Sequence, residues 1–208
     1  ILETGLGGTY DSTNACGVPD VTVIAKIGFD HMAILGDTLA KIAAEKAGII
    51  KHGTALVLES QEKEAMDVLN KAAERADIKT TKVVNLNEIR ILPQKDGKQC
   101  FSYAGHDAVT MKMLGVHQYE NAVAAMLAAE LFFEKYFAGK KNVPERKALQ
   151  HAIREGIDRT QWMGRMELVS NDPFFLMDGA HNSNGVEALK KSLETMYPDE
   201  KFHFIMGV

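Results

Sequence analysis

Cysteine is scarce in this chain, and long apolar runs are missing. Its two cysteines, Cys16 and Cys100, stand far apart in 208 residues, and neither forms a Cys-x-x-Cys pair. No disulfide framework is indicated, and a reducing compartment such as the cytoplasm fits. The longest apolar run of the most hydrophobic stretch, Ala122 to Ala129, is eight residues. A membrane span needs ~20. No signal-peptide pattern is visible either, so no membrane association is expected. Charge of one sign is also missing: 24 Lys and Arg face 28 Asp and Glu, a net charge of −4. With no basic stripe, nothing points to nucleic acid. Two chemical signatures are absent as well. No Gly-x-x-x-x-Gly-Lys-Ser/Thr loop occurs, and Gly139-Lys140-Lys141 is not one. No His-Glu-x-x-His or similar dense set of metal ligands occurs.

What is present reads as an α/β chain. Val21 to Ile27 is β-branched and apolar, bounded by Pro19-Asp20 and Gly28, which predicts a buried strand. Leu39, Ile42, Ala43 and Ala47 follow helical spacing after a capping Asp37 or Thr38, and Gly48 ends that helix. Ala55 to Leu58 is a strand, Glu62 to Ala76 an amphipathic helix, and Thr80 to Val84 another strand. This alternation argues for a parallel sheet. From Glu88 to Met113 three short strands, separated by Asp96-Gly97 and Gly105-His106-Asp107, predict a small antiparallel appendage. A long helix follows from Gln118 to Phe137, and a shorter one opens at Val143-Pro144-Glu145 and runs to about Gly156. Residues 157–167 read as a linker, followed by strands at 167–169 and 174–177, a helix from about Asn184 to Met196, and a strand at 203–206. The apolar pair Ile1-Leu2 also reads as part of a strand.

Polar side chains gather at the predicted strand and helix ends. Ile1-Leu2 runs into Glu3-Thr4-Gly5-Leu6-Gly7-Gly8, then Asp11-Ser12-Thr13-Asn14. Gly28-Phe29-Asp30-His31 follows the strand at 21–27, and Glu45-Lys46-Ala47-Gly48-Ile49 closes a helix. Ligands of α/β sheets sit beyond the carboxyl ends of strands, and glycines there let backbone approach a ligand. Taken singly, each string has a plain reading. The glycines make a turn, His31 packs or caps, Lys46 answers the helix dipole, and Asp11 to Asn14 cap a turn.

Together, with Gly115-Val116-His117-Gln118-Tyr119-Glu120-Asn121, Trp162-Met163-Gly164-Arg165 and Asp178-Gly179-Ala180-His181-Asn182, these strings make seven blocks in one order. In that order they resemble the folylpolyglutamate synthase and dihydrofolate synthase family, within the wider Mur-ligase-like amide ligases. The resemblance implies a central ATP-binding Mur-ligase domain over residues 1–160 and the start of a Rossmann-like C-terminal glutamate ligase domain over 161–208. It implies an ATP-dependent ligase that joins L-glutamate to folate or dihydropteroate through an acyl phosphate. The implied metal is Mg2+, with Mn2+ or K+ as alternatives.

Residue by residue, Glu3 and His31 match the family's metal-binding glutamate and histidine. Lys46 matches a lysine that becomes carbamylated, which would turn an ammonium into an oxygen ligand. Asn121 would read the adenine edge, Arg165 would reach phosphate, Asp178 would bind ribose hydroxyls, and His181 would line the cleft as a catalytic group. Tyr10, Asp11 and Ser12 fall where relatives meet the pteridine. Many relatives carry Arg-Leu or Arg-Phe ahead of the aspartate. This chain has Thr9-Tyr10, and a tyrosine can stack on a pterin. Trp162 is expected to pack at an interdomain hinge near residues 157–164.

Relatives carry a P-loop upstream of the Glu3 block, so the resemblance implies a fragment that is inactive alone, from a monomeric enzyme. Three rivals are a Mur-type cell-wall ligase, a metallohydrolase using Glu3, Asp11, His31 and His181, and a non-catalytic nucleotide-binding module.

Overall fold

The computed structural model describes residues 1–207. Strands β1 (Val21–Ile24), β2 (Ala55–Leu58) and β3 (Thr81–Val83) form a parallel sheet in that order. Val21 lies opposite Ala55, and Leu56 opposite Thr81. Parallel neighbours need crossovers. Helices α1 (Met32–Leu35) and α2 (Leu39–Ala47) join β1 to β2, and α3 (Lys63–Arg75) joins β2 to β3. Thr38 starts α2 by accepting from the Lys41 N–H at 3.2 Å.

The central strand β2 is buried along its length, and its side chains alternate between two cores. Leu56 and Leu58 join Ile24, Ile42, Ala43, Ala65 and Leu69 under α2 and α3. Ala55 and Val57 join Val123, Met126, Phe101 and Val109 on the opposite face. That second core is closed by α4 (Gln118–Phe137) and by an antiparallel meander of β4 (Arg90–Lys95), β5 (Lys98–Tyr103) and β6 (His106–Met111). The Phe101 and Tyr119 rings meet edge to face there, with centroids 5.6 Å apart. Helix α5 (Arg146–Arg159) packs on the meander. Its Asp158 accepts from Lys98 Nζ at 2.7 and 2.9 Å and from Thr110 Oγ1 at 2.6 Å. These donors hold the Asp158 carboxyl below its ordinary range, the lysine contributing most.

An antiparallel hairpin of β7 (Glu167–Asn171) and β8 (Phe174–Met177) leads into α6 (Ser183–Met196). A small third core of Leu114, Met166 and Leu193 joins this unit to the loop ahead of α4. The Val116 N–H donates to Ser192 Oγ at 3.0 Å alongside it.

The α/β class, with a parallel sheet and an antiparallel appendage, is as the sequence led us to expect. Five details differ. Residues 1–4 form no strand; Ile1 and Leu2 are exposed and pair with no sheet. Strand β1 stops at Ile24, because side chains take over from the ladder. Lys26 N–H donates to Glu59 Oε2 at 2.7 Å, and Ile27 N–H donates to Gln61 Oε1 at 2.8 Å. Helix α5 runs past Gly156 to Arg159, so the connection begins at Thr160, whose N–H closes on Gly156 O. Residues 203–206 form no strand, since no ladder partner meets them among the described residues. Within the connection Trp162 is 65% exposed, so its ring packs on no hinge.

Candidate functional site

The glycine loop is seated on the end of α2. Thr9 N–H donates to Glu45 O at 3.0 Å, and Asn14 Nδ2 donates to Gly48 O at 3.2 Å. Gly8 permits this approach: a Cβ there would lie 2.7 Å from Glu45 O and 3.0 Å from Lys46 O, both main chain. Two blocks far apart in sequence, the glycine cluster and Glu45-Lys46-Ala47-Gly48, thus form one interlocked piece. Asp11 ties the loop to itself. Its Oδ2 accepts from the Gly5 and Leu6 N–H groups, each at 3.0 Å. Its Oδ1 accepts from Thr13 N–H at 2.9 Å and Thr13 Oγ1 at 2.6 Å. These donors, the Thr13 hydroxyl first, draw the carboxyl down to about 2. Tyr10 beside it is 92% exposed, and Ser12 also faces solvent.

The carboxyl ends of β1 and β2 hold a group that the sequence reading passed over. Glu59, directly after β2, is only 3% exposed. Burial pushes its carboxyl up to about 7, against the Lys26 N–H that favours the charged form, and neighbouring Glu120 adds to the rise. Glu120 itself accepts from Ser60 N–H at 2.7 Å. Gln61 spans the same ends, donating to Ala25 O at 3.0 Å while accepting from Ile27. An acidic residue closing an all-apolar strand was the available signal, because strand carboxyl ends are where α/β sheets place polar work.

A second cluster draws on distant segments. At the start of α4, Asn121 Nδ2 donates to Gln118 Oε1 at 3.0 Å, and Gln118 Nε2 pairs with His117 Nε2 at 3.0 Å. Burial keeps the His117 ring below its ordinary pKa; the Asp178 charge opposes that shift and the Arg165 charge assists it. His117 Nδ1 is buried without a hydrogen-bond partner. Asn121 is thus linked through Gln118 to His117, and His117 and Met166, the neighbour of Arg165, both crowd Gly115. Asp178 shapes its own loop: Oδ2 accepts from Met166 N–H and Oδ1 from Ala180 N–H, both at 2.8 Å. A carboxylate keeps further lone pairs after two such bonds. His181, next along that loop, is exposed and pairs through Nδ1 with Gly179 O at 2.9 Å.

The remaining three sequence candidates are not joined by any hydrogen bond or ion pair among the described residues. Glu3 lies exposed in the irregular start of the chain. Lys46 is half-buried on α2. His31 caps α1 from a left-handed backbone, φ 48° and ψ 37°, with Nε2 3.8 Å from Asp30 Oδ2. No three His, Cys, Asp or Glu side chains converge as a metal cage among the described residues. An ion such as Mg2+ takes one or two protein donors and completes its octahedron with substrate phosphates and water, so it does not require such a cage.

A parallel sheet with polar side chains gathered beyond its strand ends is an architecture whose ligands commonly sit at those ends. The chain belongs to the Mur ligase family: the Mur ligase middle domain matches residues 1–129. It is 36% identical over 215 residues to the dihydrofolate synthase/folylpolyglutamate synthase of Bacillus subtilis, an alignment covering 100% of this chain and 47% of that protein. Its fold is similar to that of an FPGS–AMPPCP–folate complex, with TM-score 0.83 and 26% identity over 95% of this chain and 47% of the other. It is likewise similar to Mycobacterium tuberculosis folylpolyglutamate synthase complexed with ADP and AMPPCP, with TM-score 0.75 and 31% identity over 92% of this chain and 42% of the other. The chain thus spans about half the length of the relatives it matches. No described helix is long and apolar enough to cross a membrane.

Proposed function

We propose that this chain is the nucleotide-handling part of a cytoplasmic, monomeric, ATP-dependent ligase that joins L-glutamate to folate or dihydropteroate. In this reading residues 1–160 are the ATP-binding domain and 161–208 open the glutamate ligase domain. The observation that supports it is the His117 cluster, where Asn121 on α4 is linked through Gln118 to a ring that also feels the charges of Arg165 and Asp178 from the segment after α5. An amide, a guanidinium and a carboxylate suit an adenine edge, phosphates and ribose hydroxyls respectively. The relatives that share this fold include complexes with AMPPCP, ADP and folate.

The chemistry proposed is two transfers. The substrate carboxylate attacks the terminal phosphoryl group of ATP, giving an acyl phosphate and ADP. The glutamate amine then attacks the acyl carbon, releasing phosphate and the amide. The first transfer rests on positioning and charge. Arg165 meets the phosphoryl charge, and Asn121 and Asp178 fix the nucleoside. Glu3, His31 and Lys46 would hold an ion there, and carbamylation of Lys46 would supply a further oxygen donor. A bound Mg2+, or in its place Mn2+ or K+, would supply charge neutralisation on the phosphoryl oxygens. His181, its ring oriented by Gly179 O, keeps Nε2 for proton handling in the cleft. Tyr10 and Ser12 face the pteridine from the loop that Asp11 holds.

The test is calorimetric titration with AMPPCP. Asn121→Ala and Arg165→Ala are each expected to weaken binding about tenfold. Affinity indifferent to both overturns the reading. Titration with pteroate against a muramyl nucleotide separates the branches; a response to the muramyl nucleotide alone assigns a cell-wall ligase instead.

A further inference from the structure

The loop after β1 and the loop ahead of α6 lie more than 150 positions apart in sequence, yet their side chains join. Asn182 Nδ2 donates to Asp30 Oδ2 at 2.9 Å. Asn184 Nδ2 donates to Phe29 O at 3.2 Å. Gly28 makes room for that contact, since a Cβ there would fall 2.2 Å from Asn184 Nδ2. Asp30 also works locally: its Oδ1 accepts from the His31 N–H at 2.8 Å. His31 is one of six non-glycine residues with positive φ among the described residues, a backbone region that few side chains other than Asn, Asp and His adopt readily.

The chemistry at this joint calls for a carboxylate. The Asn182 amide cannot turn over, because its oxygen caps α6 by accepting from Gly185 N–H at 2.8 Å. Only its NH2 group is left to face Asp30. Asp30 must therefore accept twice, once from His31 and once from Asn182. A carboxylate has an acceptor oxygen for each, whereas an amide has one acceptor and one donor.

We propose that Asp30 is a positioning residue that holds His31 with one carboxylate oxygen and latches the Asp178–Asn182 loop with the other, so that the setting of His31 depends on the two loops being together. The role given to His31 rests on the metal reading above; the latch itself does not. Closing the cleft and setting the ligand would then be one event, in the manner of domain closures that complete a site.

The test is amide hydrogen exchange by mass spectrometry on the full chain. Asp30→Asn is expected to speed exchange about tenfold in peptides covering 28–35 and 180–187 together. Asn182→Ser keeps a good helix cap but is too short to reach Asp30, and should do the same. The double variant Asp30→Asn with Asn182→Asp exchanges donor and acceptor. The new carboxylate caps α6 with one oxygen and accepts from the new amide with the other, so protection should return to within about twofold of the parent. Unchanged exchange at 180–187 in Asp30→Asn, or a double variant no better than the singles, overturns the latch. Mn2+ titrated with AMPPCP and followed by electron paramagnetic resonance reads the second half. His31→Ala should weaken Mn2+ binding, and Asp30→Asn should weaken it by a smaller factor. If His31→Ala weakens binding and Asp30→Asn does not, positioning is overturned. If His31→Ala has no effect, the metal reading falls, and exchange alone decides the latch.

Discussion

The glycine loop and the carboxyl end of β2 each hold a carboxylate, and they drive it in opposite directions. Asp11 accepts from three N–H groups and a hydroxyl, and its pKa falls to about 2. Glu59 has one N–H donor, a carboxylate neighbour and almost no solvent, and its pKa rises to about 7. The count of donors against the loss of water decides the outcome. In the first region charge organises a surface loop. In the second a charge is kept off the sheet end until the pH is raised.

The hardest break falls under the loop. Gly8→Ala drives a Cβ into the Glu45 and Lys46 carbonyls, which are main chain and cannot swing aside. A loss of about 3 kcal/mol is expected in denaturant unfolding, near the upper range for overpacking. A loss below about 1 kcal/mol would mean that the loop lifts off α2 freely, and Asp11 would then be organising a detached segment.

Glu59→Gln reverses the second region. The folded carboxyl titrates above its ordinary value, so between about 4.5 and about 7 the folded state binds a proton that the unfolded state has lost. Stability of the parent therefore falls as pH rises through that window and is lowest above it. Glutamine keeps an acceptor for the Lys26 N–H and never ionises. The variant should match the parent near pH 4 and exceed it by about 2 kcal/mol near pH 8.5. Thermal melts across that range check it, and a pH-independent difference would assign the effect to packing.

Period and punctuation carried the fold in the sequence. The Ala55 to Leu58 run, the caps at Thr38 and Gly48 and the Gly-containing turns of the meander all became the elements they suggested. The end of β1 was not legible, because the acceptors that replace its ladder sit on Glu59 and Gln61, more than 30 residues on. The strand expected at 203–206 failed for a related reason: the apolar run Phe204-Ile205-Met206 supplies material for a strand, but a strand also needs an edge to pair with. Of the site, the Asn121–Gln118 contact is helical spacing and could be read directly. The meeting of Arg165 and Asp178 at His117, and of Asn182 with Asp30, depends on how α6 docks, which local pattern does not encode.

Asp11→Asn makes the smallest break and sharpens the contrast most. An amide has one acceptor oxygen, so it can serve the Gly5 and Leu6 N–H pair or the Thr13 pair, and it turns a donor toward the other. Exchange of the abandoned amides should rise about tenfold, with β2 amides unchanged and the unfolding midpoint close to the parent's. The parent should approach the same state under acid. Its folded pKa is depressed, so the ties are complete above the ordinary carboxyl value of 3.8 and are lost as pH falls through about 2. Protection of Gly5, Leu6 and Thr13 in the parent should therefore converge on that of the variant at the acid end and separate from it as pH rises. Profiles that stay parallel would show that the loop is held by the α2 seat alone, and the contrast between the two carboxylates would then carry no structural weight at Asp11.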